Sequence, residues 1–156
     1  MPVHLYLQVK QADSFKPIQR VFESFLLSLG KEKGILEISL VGLKKITELN
    51  EEFLGKKRPT DVLSFPQDWK RPPKNRTWIL GEIVLALPVA RLQAKMAGRS
   101  LAQQMVRLIT HGLAHLSGLD HEAGAKEEKK FQEREARWLR AIDRKGWMPW
   151  DGSLLL

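Results

Sequence analysis

The sequence predicts an α+β domain in which four short strands and a set of amphipathic helices close around one core. Two patterns carry that reading. Apolar residues alternate with polar ones, or run together, over four segments too short for helices, and they recur at helical spacing in the stretches between. Size is the third observation. The chain has 156 residues, 43% of them hydrophobic, with no internal repeat and no composition break, so residues 1–156 are expected to form a single domain.

Val3, Leu5, Leu7 and Val9 alternate with His4, Tyr6 and Gln8, the pattern of a half-buried strand. Phe15 to Leu29 carries a helical stripe through Ile18, Phe22, Phe25 and Leu26, with Ser14 as N-cap candidate, Pro17 in the first turn and Gly30 at the end. Ile35 to Val41 is a second strand, ended by Gly42. Leu43 to Phe53 follows as a short helix expected to bury Leu43, Ile46, Leu49 and Phe53, with Asn50 set to bond a neighbouring loop. The basic turn Gly55-Lys56-Lys57-Arg58 and then Pro59-Thr60-Asp61 lead into a third strand, Val62 to Pro66, stopped by proline. Asp61 and Ser64 at its ends either cap turns or line a cleft.

Gln67 to Thr77 is polar and proline-interrupted, with Trp69 among Lys70, Arg71, Lys74 and Arg76. Aromatic and basic residues together can stack bases and hold phosphates; Trp78 belongs either to that loop or to the core. Trp78 to Leu87 is dense enough in apolar residues for a central strand, and Glu82 is its one charge. A buried carboxylate without a partner is costly, so Glu82 is expected either at the cleft, in a catalytic role, or in a structural bond to a loop. Pro88 opens a helix with Val89, Leu92 and Met96, interrupted by Gly98. Ser100 and Gln103 have the spacing of a capping box for the next helix, whose inner side is Leu101, Met105, Leu108, Ile109, Gly112 and Leu116. Lys129 to Arg144 is the last helix, with Phe131, Trp138, Leu139 and Ile142 inward; Trp147 or Trp150 is placed to dock back on the body.

Composition removes several chemistries. With no cysteine there is no disulfide, thiolate nucleophile or cysteine-ligated cluster. The N-terminus lacks a basic stretch followed by an apolar run, and charges interrupt every apolar run, so a soluble cytoplasmic protein is expected. The formal net charge of +8 favours anionic partners, nucleic acid first.

Three of the four histidines fall in His111-Gly112-Leu113-Ala114-His115-Leu116-Ser117-Gly118-Leu119-Asp120-His121. His111 and His115 are spaced i, i+4 and share a helix face, and Gly118 can turn the chain so that His121 returns to it. Three converging imidazoles without a thiol read as a metal site, with zinc the best match. The spacing resembles the zinc site of metzincin peptidases, but their catalytic glutamate is replaced here by Gly112. Asp120 is the nearest candidate for a fourth ligand. Adjacent residues rarely both aim at one ion, so it is placed beside a ligand imidazole or in the cleft wall. Arg107, one turn before His111, either approaches the site or faces solvent.

The same stretch, His111-Gly112-x-x-His115-Leu116-x-Gly118-x-Asp120-His121, resembles the signature of the YbeY family of rRNA-maturation endoribonucleases. Leu49-Asn50, Pro59-Thr60-Asp61-Val62-Leu63-Ser64-Phe65-Pro66 and Leu80-Gly81-Glu82-Ile83 resemble further family blocks in the same order. The resemblance implies a small mixed sheet with packed helices and a zinc site at the end of a central helix. It implies His111, His115 and His121 as ligands of one zinc ion per chain. The implied activity is zinc-dependent cleavage of single-stranded RNA in 16S rRNA 3′-end maturation and ribosome quality control. The implied partners are rRNA precursor, the small ribosomal subunit and ribosome-assembly factors, with no membrane or DNA. Two positions depart from the family pattern: Leu54 stands where an arginine is usual, and Leu119 where a tyrosine is common. Lys56, Lys57 and Arg58 are the candidates to supply the missing charge, and Lys57, Arg58, Glu82 and Asp120 are the expected catalytic set around the metal. Two rival readings remain: a zinc peptidase with metzincin-like geometry, and a non-catalytic RNA-binding assembly factor with structural zinc.

Overall fold

The computed structural model describes residues 3–7, 15–31, 33–67, 69, 78–118 and 124–147. Its elements in chain order are β1 (Val3–Leu7), α1 (Lys16–Ser28), β2 (Gly34–Val41), α2 (Leu43–Leu54), β3 (Val62–Pro66), β4 (Trp78–Ala86), α3 (Leu87–Ala97), α4 (Leu101–Leu116) and α5 (Ala125–Arg144). The strands form one mixed sheet in the order β1-β2-β4-β3. β1, β2 and β4 run parallel, and β3 pairs antiparallel with β4 at the edge. A bulge sits where Ile35 pairs with Ile79 but Leu36 pairs with Gly81, one extra residue on β4.

Each sheet face has its own core. On one face, Leu36, Ile38, Leu40, Leu80, Ile83 and Leu85 meet the stripe of α1 and the inner side of α4. Phe15, at the N-cap of α1, is itself buried there, so this helix starts with a packed ring and no side-chain cap; Ser14 lies outside the described residues. On the other face, Val41, Leu63, Val84 and Ala86 are covered by Ile46 of α2. That cover is partial. Ile46 is buried as its spacing predicts, and Asn50 is buried beside it, but Leu43 is 49% and Phe53 55% exposed, against expectation. α2 packs on β4 and α3, which leaves the ends of its stripe exposed.

A second difference concerns α3. It begins at Leu87, directly after β4, and buries Leu87, Ala90 and Ala94, while Leu92 and Met96 are exposed. α3 packs on α4, and small alanine side chains allow the close approach. The turn into α4 closes with the expected capping box: Ser100 Oγ accepts from the Gln103 N–H at 3.1 Å, and Gln103 Oε1 accepts from the Ser100 N–H at 3.2 Å. α5 starts four residues earlier than its apolar spacing suggests, with Glu127 and Glu128 in its first turn, where they complement the helix dipole. Trp69 stacks on Trp138 at 6.2 Å between ring centroids, and its carbonyl accepts from Lys31 Nζ at 2.7 Å. Trp78 is buried and Trp147 packs on the core. Trp69 itself thus packs on the body; the rest of that basic loop and Trp150 lie outside the described residues. No described helix is long and apolar enough to cross a membrane.

Candidate active site

α4 is almost wholly buried, and that burial fixes where its histidines point. Met105, Ile109 and Leu113 are sequestered from solvent, and Gly112 faces the sheet. A Cβ on Gly112 would lie 3.0 Å from both Ile83 Cδ1 and Ser64 Oγ, so helix and strands are in close contact here. His111 and His115 flank that contact and half emerge beside β3, their ring centroids 5.0 Å apart at 74°. α5 backs both rings. Phe131, buried, lies 4.9 Å from the His111 ring and 4.6 Å from the His115 ring. Glu135, one turn further, accepts from His111 Nδ1 at 2.6 Å. That bond leaves Nε2 as the ring nitrogen for a metal.

The histidines open into a groove of about 640 Å³ that runs along β3 to the C-terminal end of α2. Lys56 and Arg58 line it, together with Phe53 and Leu54. Gly55 ends α2 in the left-handed conformation, at φ 69°, and swings the basic turn across. Buried Asn50 fastens that turn: its Nδ2 donates to the Arg58 carbonyl at 2.8 Å. Asp61 fastens the other lip. Its Oδ1 accepts from the Val62 N–H at 2.7 Å and its Oδ2 from Gln93 Nε2 at 3.1 Å. Gln93 accepts in turn from Gln104, and Gln104 from Arg99, each at 3.0 Å, which ties the groove to the α3–α4 corner.

Of the expected site residues, the fold brings His111, His115 and Arg58 into one groove, with Lys56. Lys57 is exposed on the same turn but does not line the groove. Glu82 is not brought to the histidines. Ile83 faces Gly112, so its neighbour points through the opposite face of the sheet, where Glu82 Oε1 accepts from Ser39 Oγ at 3.2 Å beside Lys45 and Phe65. The bond is structural, as in the second of its two sequence readings, but its partner lies on strand β2 and not on a loop. Asp120 and His121 lie outside the described residues. Among the described residues no group of three metal-ligating side chains is assembled; two imidazoles with an oriented ring fit part of a zinc site. Arg107 is partly buried. Burial, and then the nearby Arg99, lower it from the usual arginine range, opposed by Glu135. The residue that sequence reasoning missed is Glu135. Its one signal was its i, i+4 spacing from Phe131, which repeats that of the histidines.

Paired imidazoles sharing a cleft with lysine and arginine suit a phosphate-bearing substrate. A sequence model of the endoribonuclease YbeY family matches residues 6–143. The endoribonuclease YbeY of Persephonella marina is 41% identical over 112 residues, 72% of this chain and 72% of that protein. That of Aquifex aeolicus is 41% identical over 118 residues, 76% of this chain and 77% of that protein. The solution structure of TM1509 from Thermotoga maritima superposes with a TM-score of 0.62 at 24% identity, covering 90% of this chain and 88% of that one, a likeness of fold. The chain belongs to the endoribonuclease YbeY family, and with it to the hydrolases that act on RNA.

Proposed function

We propose that this chain is a zinc-dependent, single-strand-specific endoribonuclease that acts in 16S rRNA 3′-end maturation and ribosome quality control. The observation that carries the reading is that His111 and His115 open into the same groove as Lys56 and Arg58, so ligand imidazoles and phosphate-binding cations face one substrate path. His121 is the proposed third ligand, and Asp120 its neighbour in the cleft wall. Zinc held by three neutral imidazoles supplies Lewis-acid polarisation of a phosphodiester oxygen.

The chain's own residues do the rest. Lys56 and Arg58 offset the charge of the backbone that threads the groove and hold it in register. Arg58 takes over the charge that Leu54 does not supply, from a backbone position fixed by Asn50. Phe53, exposed and edge-on to Phe65 at 4.9 Å, offers an aromatic surface to an unpaired base, which favours single strands over duplex. Phe131 and Glu135 keep the two imidazoles from turning away.

The test is cleavage of a 16S rRNA precursor fragment by zinc-loaded and metal-stripped protein, with His115→Ala as control and circular dichroism to confirm its folding. Cleavage at a defined single-stranded site near the 3′ end, lost on stripping and restored by zinc, is expected. Equal cleavage by all three preparations would refute the metal-dependent mechanism. Peptide hydrolysis without RNA cleavage would refute the substrate class.

A further inference from the structure

The side chains of α5 behind the histidines have no part in the groove, yet they match it in spacing. His111 and His115 are i, i+4 on α4; Phe131 and Glu135 are i, i+4 on α5. The buried Phe131 ring touches both imidazoles, and Glu135 Oε2 lies 2.6 Å from His111 Nδ1. Elsewhere the register of α5 is pinned. Arg134 Nη1 donates to Ser117 Oγ at 2.9 Å, just beyond the end of α4, and Trp138 packs edge-on to Phe25 at 5.5 Å between centroids. The Glu135 carboxylate is therefore held at the His111 ring by contacts on both sides of it along the helix.

We infer that Glu135 is the positioning residue of the metal site: it holds His111 as the Nδ1–H tautomer, with Nε2 turned outward as ligand. A carboxylate oxygen accepts, so the ring nitrogen it meets must carry the proton. In a free neutral imidazole the proton is shared between the two nitrogens, and only one tautomer leaves the outward nitrogen available. A carboxylate on the opposite nitrogen also makes the ligand nitrogen more basic. Phe131 contributes the other half: its buried ring packs edge-on against His111, at 71°, and tilted against His115, at 48°, and so restricts rotation of both imidazoles. The competing account is a surface ion pair, since the two side chains are 33% and 26% exposed. Such a pair contributes little to stability and nothing to metal affinity.

This inference rests on the reading of His111 as a metal ligand, and the test separates the two. Glu135→Ala and Glu135→Gln are compared with wild type and with Glu133→Ala, an exposed carboxylate on the same helix. Zinc affinity is measured by chelator competition. The tautomer of His111 is read in zinc-free protein, above the histidine titration range, from long-range proton–nitrogen correlations. Glu135→Ala is expected to weaken zinc binding about 10- to 100-fold and to shift His111 toward the Nε2–H tautomer, without a matching loss of helicity. Glu135→Gln, whose amide oxygen still accepts, keeps the tautomer and loses less affinity; Glu133→Ala matches wild type. If wild type binds zinc and Glu135→Ala equals it in affinity and tautomer, the positioning role is overturned while the metal reading stands. If wild type binds no zinc, the metal reading fails, and this role fails with it.

Discussion

The basic turn offers a quantitative test, because the fold separates three adjacent cations. Lys56 and Arg58 line the groove and Lys57 does not. Each phosphate neutralised on a single strand contributes about 0.7 to the slope of log affinity against log salt. Replacing both Lys56 and Arg58 by alanine should therefore reduce that slope by about 1.4. One decade below molar salt, near 0.1 M, the same loss weakens binding by about 25-fold. Lys57→Ala removes an exposed charge that does not line the groove and acts on it through solvent, where salt screens it. Its slope change should be less than half that of Arg58→Ala. Arg58→Ala is not expected to disturb the turn, because Asn50 bonds the backbone carbonyl at 58 and not the side chain. The assay is fluorescence anisotropy of a labelled single-stranded RNA over a salt series, with metal-stripped protein so that no substrate is cut. If Lys57→Ala matches or exceeds Arg58→Ala in both slope and affinity, the assignment of the groove's cations is wrong.

Three further outcomes follow from the same contacts. Gly112→Ala gains about 0.8–1 kcal/mol of helix propensity but overpacks at about 1–3 kcal/mol, so denaturant unfolding should show no stabilisation. Ile83→Val removes the Cδ1 atom that lies 3.0 Å from the new Cβ, and the double variant should be at least about 0.5 kcal/mol more stable than the sum of the singles; additivity would contradict the close approach. Asp61→Ala strips the acceptors of Val62 and Gln93 and should cost about 1.5–3 kcal/mol in urea unfolding, with loss of RNA affinity as the lip loosens; a cost near zero would show that the lip is held by other contacts. Zinc at about 100 times its dissociation constant should raise stability by about 2.7 kcal/mol, reversed by chelator and absent in His115→Ala, as read by thermal unfolding.

Local features were the legible ones. The Ser100–Gln103 capping box, the stripe of α1 and the inner side of α4 depend on neighbours within a few residues, and periodicity reports them directly. Periodicity states which residues share a face and not how much of that face is covered, which is why Leu43 and Phe53 were expected inside. At α3 spacing showed a helix but not its buried side, which packing on α4 gives to Ala90 and Ala94 while Leu92 and Met96 are exposed. The face of Glu82 follows from strand pairing and from the extra residue on β4, neither of which has a local signature. The pairing of His111 and His115 was legible because both lie one turn apart on α4. Glu135 was not, because it comes from a helix 24 residues further on whose many charges suggested solvent.

Gly112 connects the packing of α4 to the choice of substrate. In the metzincin pattern that position carries the glutamate that activates water. Here its Cβ direction leads into Ser64 and Ile83, each 3.0 Å away, so a glutamate side chain would collide with the strands. Among the described residues that line the groove, Asp61 is the one carboxylate, and both its oxygens are engaged by the lip. Peptide hydrolysis needs a carboxylate able to take a proton from water beside the metal, and none of the described lining residues offers one. A phosphodiester makes a different demand: its backbone is already anionic, so cations that hold and neutralise it contribute directly. Lys56 and Arg58 stand on the groove wall where that charge would run. The glycine at 112 thus lets α4 settle closely onto β3 and β4 and leaves that helix position without the metzincin base.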